Sequence, residues 1–138
     1  MKQTLLIIIL SGFVFCRGTA QDGADRIMGK WLKLPKKDLI IEVYKTKKAY
    51  NGRISWTKPG DDKPVGFVII DDLRYDAKSN RWEHGKIHDP NSSRTYSAEV
   101  KLDDDGELIV KGYLGAKFFS SSRTFTRVEN AYNATTSR

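Results

Sequence analysis

The stretch Thr95–Leu114 reads TYSAEVKLDDDGELIVKGYL, and its pattern decides the fold class. Before the central turn, apolar or small side chains at Tyr96, Ala98, Val100 and Leu102 alternate with polar ones, and after it the period of two recurs at Leu108, Val110, Gly112 and Leu114. A period of two is typical of a β-strand with one buried face. The turn Asp103–Gly106 ends in a glycine that can adopt the positive φ used in hairpins. The stretch therefore predicts two antiparallel strands joined by a tight hairpin.

Short runs of the same kind recur along the chain, and no stretch carries apolar residues at helical spacing for three turns. The four prolines fall between the runs, where a missing N–H interrupts no ladder. Short connections make successive strands antiparallel neighbours, and closure removes the open sheet edges. We therefore predict an all-β fold, a single up-and-down antiparallel β-barrel of about eight strands. The predicted strands are Gly29–Leu34, Leu39–Thr46, Ala49–Trp56, Gly66–Tyr75, Arg81–His88, Arg94–Leu102, Glu107–Leu114 and Arg123–Val128.

The first twenty residues differ from the rest of the chain. Lys2 precedes the apolar run Leu5–Phe15, and the small residues Gly18 and Ala20 then suit a cleavage site. A run of this length is too short for the ~20 residues of a membrane span, so it predicts a secretory signal peptide over residues 1–20. An uncleaved anchor is the alternative. We expect residues 21–138 to form one exported barrel domain, periplasmic or secreted, without a transmembrane segment.

Cys16, the one cysteine, falls inside the predicted signal peptide. A lipoprotein signal needs a small residue before its cysteine, whereas Phe15 stands there, so lipidation is only the alternative reading. The mature domain would then contain no cysteine and would depend on its core alone, which a chain of this size can supply. The apolar fraction of 39% and aromatic fraction of 11% are those of a folded domain.

Alternating strand directions place the longer connections on one rim of the barrel and the tight hairpins on the other. The longer connections are Pro35–Asp38, Thr57–Val65, Asp89–Ser93 and Gly115–Ser122. We expect the mouth of the barrel at this rim. Access would pass basic and aromatic side chains, namely Lys36, Lys37, Lys58, Lys63, Lys117, Phe118 and Phe119.

Two short motifs at the ends of the domain resemble the lipocalin-type barrel signature. Gly29-Lys30-Trp31 lies on the first strand and Thr126-Arg127-Val128 on the last. In such barrels the indole plugs one end, and the guanidinium stacks on it while it donates to backbone carbonyls. This resemblance assigns Gly29, Trp31 and Arg127 to barrel closure.

Further segments, in order, are similar to the bacterial exported family called Domain of Unknown Function 2147. They are Tyr50–Trp56, Pro64–Gly66, Trp82–Pro90, Thr95–Ala98, Val110–Gly115 and Phe125–Val128. The resemblance covers the mature chain and implies a lipocalin-like barrel in the envelope of a Gram-negative bacterium, with no activity implied. The chain departs from the family at two positions near the mouth, with Ser93 where a glycine is usual and His88 where an aromatic is common.

Barrels of about eight strands are just wide enough to hold one small ligand. Five residues on predicted strands are candidates for such a cavity: Arg53, Trp56, Trp82, Lys86 and Tyr96. Inward cations would need an anion, such as a ligand carboxylate. The alternative is that the cations point outward and the aromatic rings only fill the core. We expect a non-enzymatic protein that binds a small apolar or amphipathic ligand, with an anionic group as one option.

Two other functions remain open from the residues. The net charge of +7 would suit a protein whose basic rim binds anionic membrane or glycan surfaces. Nucleic acid is not an expected partner, because an exported protein would not meet it. A hydrolase would use paired carboxylates drawn from Asp71, Asp72, Glu83 and Asp89. We expect no metal site, because His84 and His88 would stand ~13 Å apart on a strand. We also expect no cofactor.

Overall fold

The computed structural model of the protein describes residues 23–114 and 120–136. The predicted signal peptide and the side chains of Lys117, Phe118 and Phe119 lie outside the described residues. In the part described, eight strands are followed by one helix. They are β1 (Gly29–Leu34), β2 (Leu39–Lys45), β3 (Tyr50–Thr57), β4 (Val68–Asp76), β5 (Arg81–His88), β6 (Thr95–Leu102), β7 (Leu108–Tyr113), β8 (Ser120–Arg127) and α1 (Val128–Thr136).

Each strand pairs antiparallel with the next, and β8 pairs back with β1, so the sheet is a closed barrel. Trp31 on β1 lies opposite Arg127 on β8, and Leu34 lies opposite Thr124. Every backbone edge therefore has a partner, as closure requires. The predicted all-β, up-and-down barrel of eight strands is confirmed. The largest difference in bounds is at β8, which begins at Ser120 rather than at the predicted Arg123.

Residues 23–28, here called the plug segment, lie across one end of the barrel. Ala24 and Ile27 of this segment are buried together with the indoles of Trp31 and Trp82. Trp31 Nε1 donates to the Ile27 carbonyl at 2.9 Å, and Trp82 Nε1 donates to the Ala24 carbonyl at 3.0 Å. A buried indole N–H needs such an acceptor. The plug segment thus closes this end with both apolar contact and hydrogen bonds.

Arg127 joins the plug segment to the barrel wall. Its guanidinium carbon lies 4.3 Å from the ring centroid of Trp31. Nη1 donates to the Met28 carbonyl at 3.0 Å, and Nη2 donates to the Arg26 carbonyl. Gly29 has a φ of 119°, and a Cβ there would lie 3.2 Å from Arg127 Nη1. A side chain at residue 29 would therefore be strained and would crowd the guanidinium.

A β-bulge interrupts the alternation of β3. Ile54 lies opposite Ile41, whereas Trp56 lies opposite Ile40, so Ser55 is an extra residue without a partner of its own. An extra residue turns every later side chain to the other face of the sheet. Trp56 consequently lies on the outside of the barrel and is 40% exposed.

A second irregularity affects β4 and β5 together. Asp72 and His84 adopt left-handed φ values of 56° and 61°. Each adds one residue between two inward positions, so the buried residues stand three apart instead of two. These pairs are Ile70 and Leu73 on β4, and Trp82 and Gly85 on β5.

The helix α1 was not anticipated, since the pattern predicts a last strand that continues to Val128. The helix packs against β1 and β8 and leaves Tyr132 71% exposed. It spans nine residues with few apolar side chains, too few for a helical repeat to stand out in the sequence. Among the described residues, no helix is long and apolar enough to cross a membrane.

Candidate functional site

The end of the barrel opposite the plug segment contains a cavity of about 320 Å³. It lies at the rim formed by three of the longer connections, as the strand directions predict. Its lining comes from every strand except β3 and from two connections: Lys33, Leu39, Ile41, Lys63, Ile69, Ile70, Ile87, His88, Asp89, Pro90, Tyr96, Val110, Gly112, Ser121, Arg123 and Phe125. We call this space the mouth cavity.

The floor of the mouth cavity is apolar because inward positions of neighbouring strands meet there. Leu39, Ile41, Ile70, Val110 and Phe125 are all buried. Small residues keep the space above them open. A Cβ at Gly112 would lie 3.3 Å from Ile87 Cδ1, so a larger side chain there would fill part of the cavity. Indoles occupy the closed end of the barrel, and small and aliphatic residues leave room at the mouth.

Cations border the entrance of the mouth cavity. Lys33 Nζ lies 3.4 Å from Asp38 Oδ1, and Lys63 Nζ lies 2.8 Å from Asp61 Oδ2. The hydrogen bond between Lys63 and Asp61 raises the pKa of Lys63 and lowers the pKa of Asp61. The side chain of Arg123 is exposed, and its Nη1 donates to the Ser122 carbonyl at 2.9 Å.

The β5–β6 connection forms one wall of the entrance. Asp89 accepts hydrogen bonds from Ser92 Oγ at 2.7 Å and from the Asn91 backbone N–H at 2.9 Å. These bonds hold the pKa of Asp89 below its ordinary value, so this carboxylate is ionised at neutral pH and unsuited to the role of general acid. Ser93 adopts a φ of 56°, the conformation that a glycine at this position would adopt without strain.

Of the five residues predicted to line a cavity, Tyr96 lies on the mouth cavity. Trp82 is fully buried at the closed end, where the plug segment covers it. Trp56 lies outside the barrel because of the bulge at Ser55. The rings of Trp56 and Trp82 are therefore not brought together with Tyr96.

The two predicted cavity cations also lie on the outer surface. Arg53 is exposed, with Nε 3.0 Å from Glu42 Oε1 and its guanidinium carbon 4.7 Å from the ring centroid of Tyr44. Lys86 is exposed and lies opposite Asp71 on β4. A shallow outer depression contains both Lys86 and Asp71. Arg53 and Lys86 thus occupy the outward positions that the alternative interpretation assigned to them.

Lys33, Arg123 and Phe125 are lining residues that were not proposed as cavity residues from the sequence. A usable signal was present, because Lys33 follows Trp31 by two residues and Arg123 precedes Phe125 by two. Residues two apart on an unbroken strand share one face. The inward direction of Trp31 therefore predicts the inward direction of Lys33.

A chain of hydrogen bonds crosses β4, β5 and β6 beside the mouth. His88 Nε2 lies 2.8 Å from Asp71 Oδ2, and His88 Nδ1 lies 3.2 Å from Thr95 Oγ1. Asp72, the second carboxylate proposed for hydrolysis, lies 3.3 Å from Arg74 Nη2, and Glu83 accepts from Ser79 Oγ. The four candidate carboxylates have separate partners. Asp71 shares one outer depression with Asp72 and another with Asp89, and Glu83 lines neither. Within residues 23–114 and 120–136, no three His, Cys, Asp or Glu residues are grouped so that they could hold a metal ion.

Comparison with known proteins supports the barrel and its family. The chain is similar in structure to protein HP1028 from the human pathogen Helicobacter pylori, which is described as belonging to the lipocalin family. The TM-score is 0.63 at 16% sequence identity, and the match covers 78% of this chain and 87% of that chain. At this identity the likeness shows the fold alone. No curated protein sequence matches this chain significantly.

The sequence matches a family model over residues 29–127, described as an uncharacterised protein conserved in bacteria. The matched range runs from the first residue of β1 to the last residue of β8, and so contains the whole barrel wall. The chain therefore belongs to the DUF2147 family of uncharacterised bacterial proteins, and its fold is a lipocalin-like barrel.

Proposed function

We propose that the protein is a non-enzymatic binding protein that takes a small apolar or amphipathic molecule into the mouth cavity. The observation that carries the proposal is the asymmetry of the barrel interior. One end is filled by Trp31, Trp82 and the plug segment, whereas the other end holds a cavity of about 320 Å³ over an apolar floor. A core that only stabilised the fold would be packed at both ends, because voids cost stability.

The size and lining of the mouth cavity suit a small ligand. Its volume is near the lower limit of ligand pockets, which are usually ~300–1,000 Å³ and mostly apolar with a few polar groups. The buried aliphatic floor would contribute binding energy in proportion to the apolar area removed from water. The polar groups at the entrance would orient the molecule. The lipocalin-like fold supports this proposal, as barrels of this size can hold one small ligand.

Two exposed serines on strands allow a matched test. Ser121 on β8 lines the mouth cavity, whereas Ser97 on β6 does not. The neutral probe N-phenyl-1-naphthylamine should gain fluorescence when it binds the wild-type protein. Ser121→Trp should obstruct the cavity and weaken this binding by about tenfold or more, whereas Ser97→Trp should leave it unchanged. Equal binding by both variants, or no binding by the wild type, would refute the proposal.

We also propose export of the domain after removal of residues 1–20, to the envelope of a Gram-negative bacterium. The signal-like pattern of Lys2, Leu5–Phe15 and Ala20 supports this. Amino-terminal sequencing of the protein recovered from a periplasmic fraction should begin at Gln21. Recovery of the full-length chain in the cytoplasm would contradict export.

A second candidate function is adhesion to an anionic envelope surface. It is favoured by exposed lysines on the connections of the open rim, namely Lys36, Lys37 and Lys58. Adhesion of this kind would be weakened by salt and would not depend on the mouth cavity. Vesicles with anionic lipids should then bind the wild type and Ser121→Trp equally well. Loss of vesicle binding in Ser121→Trp would argue against this candidate.

A further inference from the structure

The mouth cavity has two cationic side chains on inward positions of adjacent strands. Lys33 follows the inward Trp31 on β1, and Arg123 precedes the inward Phe125 on β8. Lys33 lies opposite Phe125 across the β1–β8 pairing, so the two cations approach the same part of the wall. Both line the mouth cavity. Lys33 is partly buried, so a nearby anion would offset the cost of its desolvation, whereas Arg123 is exposed and can turn its guanidinium toward a ligand.

The closed end shows how the same chain satisfies such cations when the partner is built in. Arg127 donates to the carbonyls of Arg26 and Met28 and lies over Trp31. Lys45 lies 3.3 Å from a carboxylate oxygen of Asp25. The plug segment therefore supplies acceptors to both of these side chains.

At the mouth, Lys33 and Arg123 have weaker partners within the protein than the cations at the closed end have. Arg123 contacts a backbone carbonyl and forms no ion pair with any of the described residues. Lys33 has Asp38 at 3.4 Å, a longer separation than the 2.8 Å of the neighbouring Lys63–Asp61 pair. The acidic residue of the lining, Asp89, directs its carboxylate to its own connection, where Ser92 and the Asn91 N–H donate to it. Arg123 is thus the lining cation that no described carboxylate pairs with, and its neighbour Lys33 is only loosely paired.

The same two side chains also border an outer groove. This groove, of about 570 Å³, is lined by Lys33, Leu34, Pro35, Lys36, Ser122, Arg123 and Thr124. The groove and the mouth cavity therefore meet at Lys33 and Arg123. A molecule with its apolar part on the cavity floor would carry its other end past both cations and into a polar space large enough for a head group.

We propose that the ligand is an anionic amphiphile, with a single apolar chain in the mouth cavity and an anionic head group bound between Lys33 and Arg123. This inference rests on the proposed function and adds the chemical class of the ligand. The guanidinium of Arg123 can donate two parallel hydrogen bonds to a carboxylate, sulfate or phosphate oxygen pair, and Lys33 adds a mobile ammonium. Charge-assisted bonds at a partly desolvated entrance are stronger than neutral ones.

The test compares ligands of one chain length that differ in head group. Isothermal titration calorimetry would measure binding of decanoate, decyl sulfate, decyl phosphate and the neutral decanol to the wild-type protein, each below its micelle concentration. At least one anion should bind about tenfold tighter than decanol. The order of the three anions identifies the head group. Raising the salt concentration from about 0.01 M to about 1 M should weaken the binding of the anion and leave the binding of decanol unchanged.

Variants at the entrance locate the effect. Arg123→Gln should lower affinity for the preferred anion by about tenfold without a change for decanol, and Arg123→Lys should recover part of the loss. Lys58→Gln is the matched control, because it removes one positive charge from the same rim at a residue that does not line the mouth cavity. It should leave both affinities unchanged. Thermal unfolding of each variant confirms that the fold is retained.

The outcomes separate this inference from the proposed function. If decanol binds and no anion binds more tightly, the head-group assignment is wrong and the binding function stands. The same conclusion follows if Arg123→Gln weakens the binding of decanol and of the anions equally. If neither decanol nor any anion binds to the wild type, the binding function itself is wrong.

Discussion

At the scale of single residues, the closed end of the barrel depends on the contacts among Gly29, Trp31 and Arg127. The Arg127 guanidinium lies over Trp31 and reaches the carbonyls of the plug segment, and a Cβ at residue 29 would crowd its Nη1 at 3.2 Å. The left-handed φ of Gly29 adds a second reason for glycine. These requirements could be anticipated from the resemblance of Gly29-Lys30-Trp31 and Arg127 to the lipocalin-type signature.

Gly29→Ala should therefore destabilise the protein by about 1–3 kcal/mol, because it adds both backbone strain and a contact with Arg127. Gly106→Ala is the matched control. Gly106 also has a positive φ, of 77°, but a Cβ there would meet no atom within 4 Å. Urea denaturation should show a larger loss of unfolding free energy for Gly29→Ala. Equal losses would mean that the contact with Arg127 contributes nothing.

Glu99 provides a pH-dependent contribution to stability on the outer face. Burial alone would raise the pKa of Glu99, but hydrogen bonds from Tyr113 and Arg81 outweigh it and hold the pKa below its ordinary value. The Tyr113 hydroxyl donates at 2.9 Å and Arg81 Nη1 donates at 2.6 Å. A lowered folded-state pKa stabilises the fold above the unfolded value of ~4.3, and this stabilisation is lost as pH falls through the folded pKa.

Glu99→Gln should consequently cost about 1–2 kcal/mol at neutral pH and progressively less as the pH falls below ~4. Urea denaturation at several pH values would measure this difference. Glu107→Gln is the control, because it removes a carboxylate that lies close to Glu99 in the sequence, at the β6–β7 turn. A difference between wild type and Glu99→Gln that stays constant with pH would contradict the prediction.

At the scale of elements, the alternation of apolar and polar residues predicted where the strands lie better than it predicted which side chains face the barrel interior. The bounds of the strands followed from apolar periodicity and turn residues, because each strand has one buried face. The bulge at Ser55 then placed Trp56 outside, and the left-handed residues Asp72 and His84 shifted the alternation of β4 and β5. None of these three has a reliable signal in one sequence, since Ser, Asp and His also occur in regular strands without an irregularity. An assignment of side-chain direction holds only up to the nearest bulge.

The plug segment is an element that periodicity could not identify, because it is short and belongs to neither a strand nor a long helix. Its Ile27 is fully buried against the indoles, whereas the next residue, Met28, is 38% exposed. Ile27→Ala should therefore destabilise the protein by about 2–5 kcal/mol, as large-to-small changes in a core do. Met28→Ala, which also removes an apolar side chain from the same segment, should cost less than about 1 kcal/mol.

Chemical denaturation followed by tryptophan fluorescence is the measurement for the plug segment. Trp31 and Trp82 report on this end directly, since both indoles donate to plug-segment carbonyls. Similar losses for Ile27→Ala and Met28→Ala would show that the segment does not pack as a specific cover.

At the scale of the whole molecule, one half of the barrel is filled by packed side chains and the other half contains the mouth cavity. The division into a loop-rich mouth and a tight opposite rim could be predicted from connection lengths alone. The lining of the mouth could be predicted only in part. The regular strands β1 and β8 carry a signal for Lys33 and Arg123, whereas the irregular residues of β4 and β5 hide which of their side chains face inward. The volume of the mouth cavity then sets a limit on ligand size that composition does not reveal.

This limit can be measured with a series of straight-chain alcohols. Each added methylene should contribute about 0.8 kcal/mol, or about fourfold in affinity, for as long as it enters the apolar floor. The increments should stop once the cavity is full, and the thermal stabilisation by saturating ligand should level off at the same length. Calorimetry and thermal unfolding would both detect the plateau. Increments that continue without a plateau would indicate binding to an open surface instead of a bounded cavity.

The plug segment and the end of β8 at Arg127 lie together at the rim away from the entrance. A label on an exposed side chain of the plug segment, such as that of Met28, would lie on the side opposite to the ligand's approach. The protein can therefore be immobilised on a sensor surface at this rim, with the binding side facing the solution.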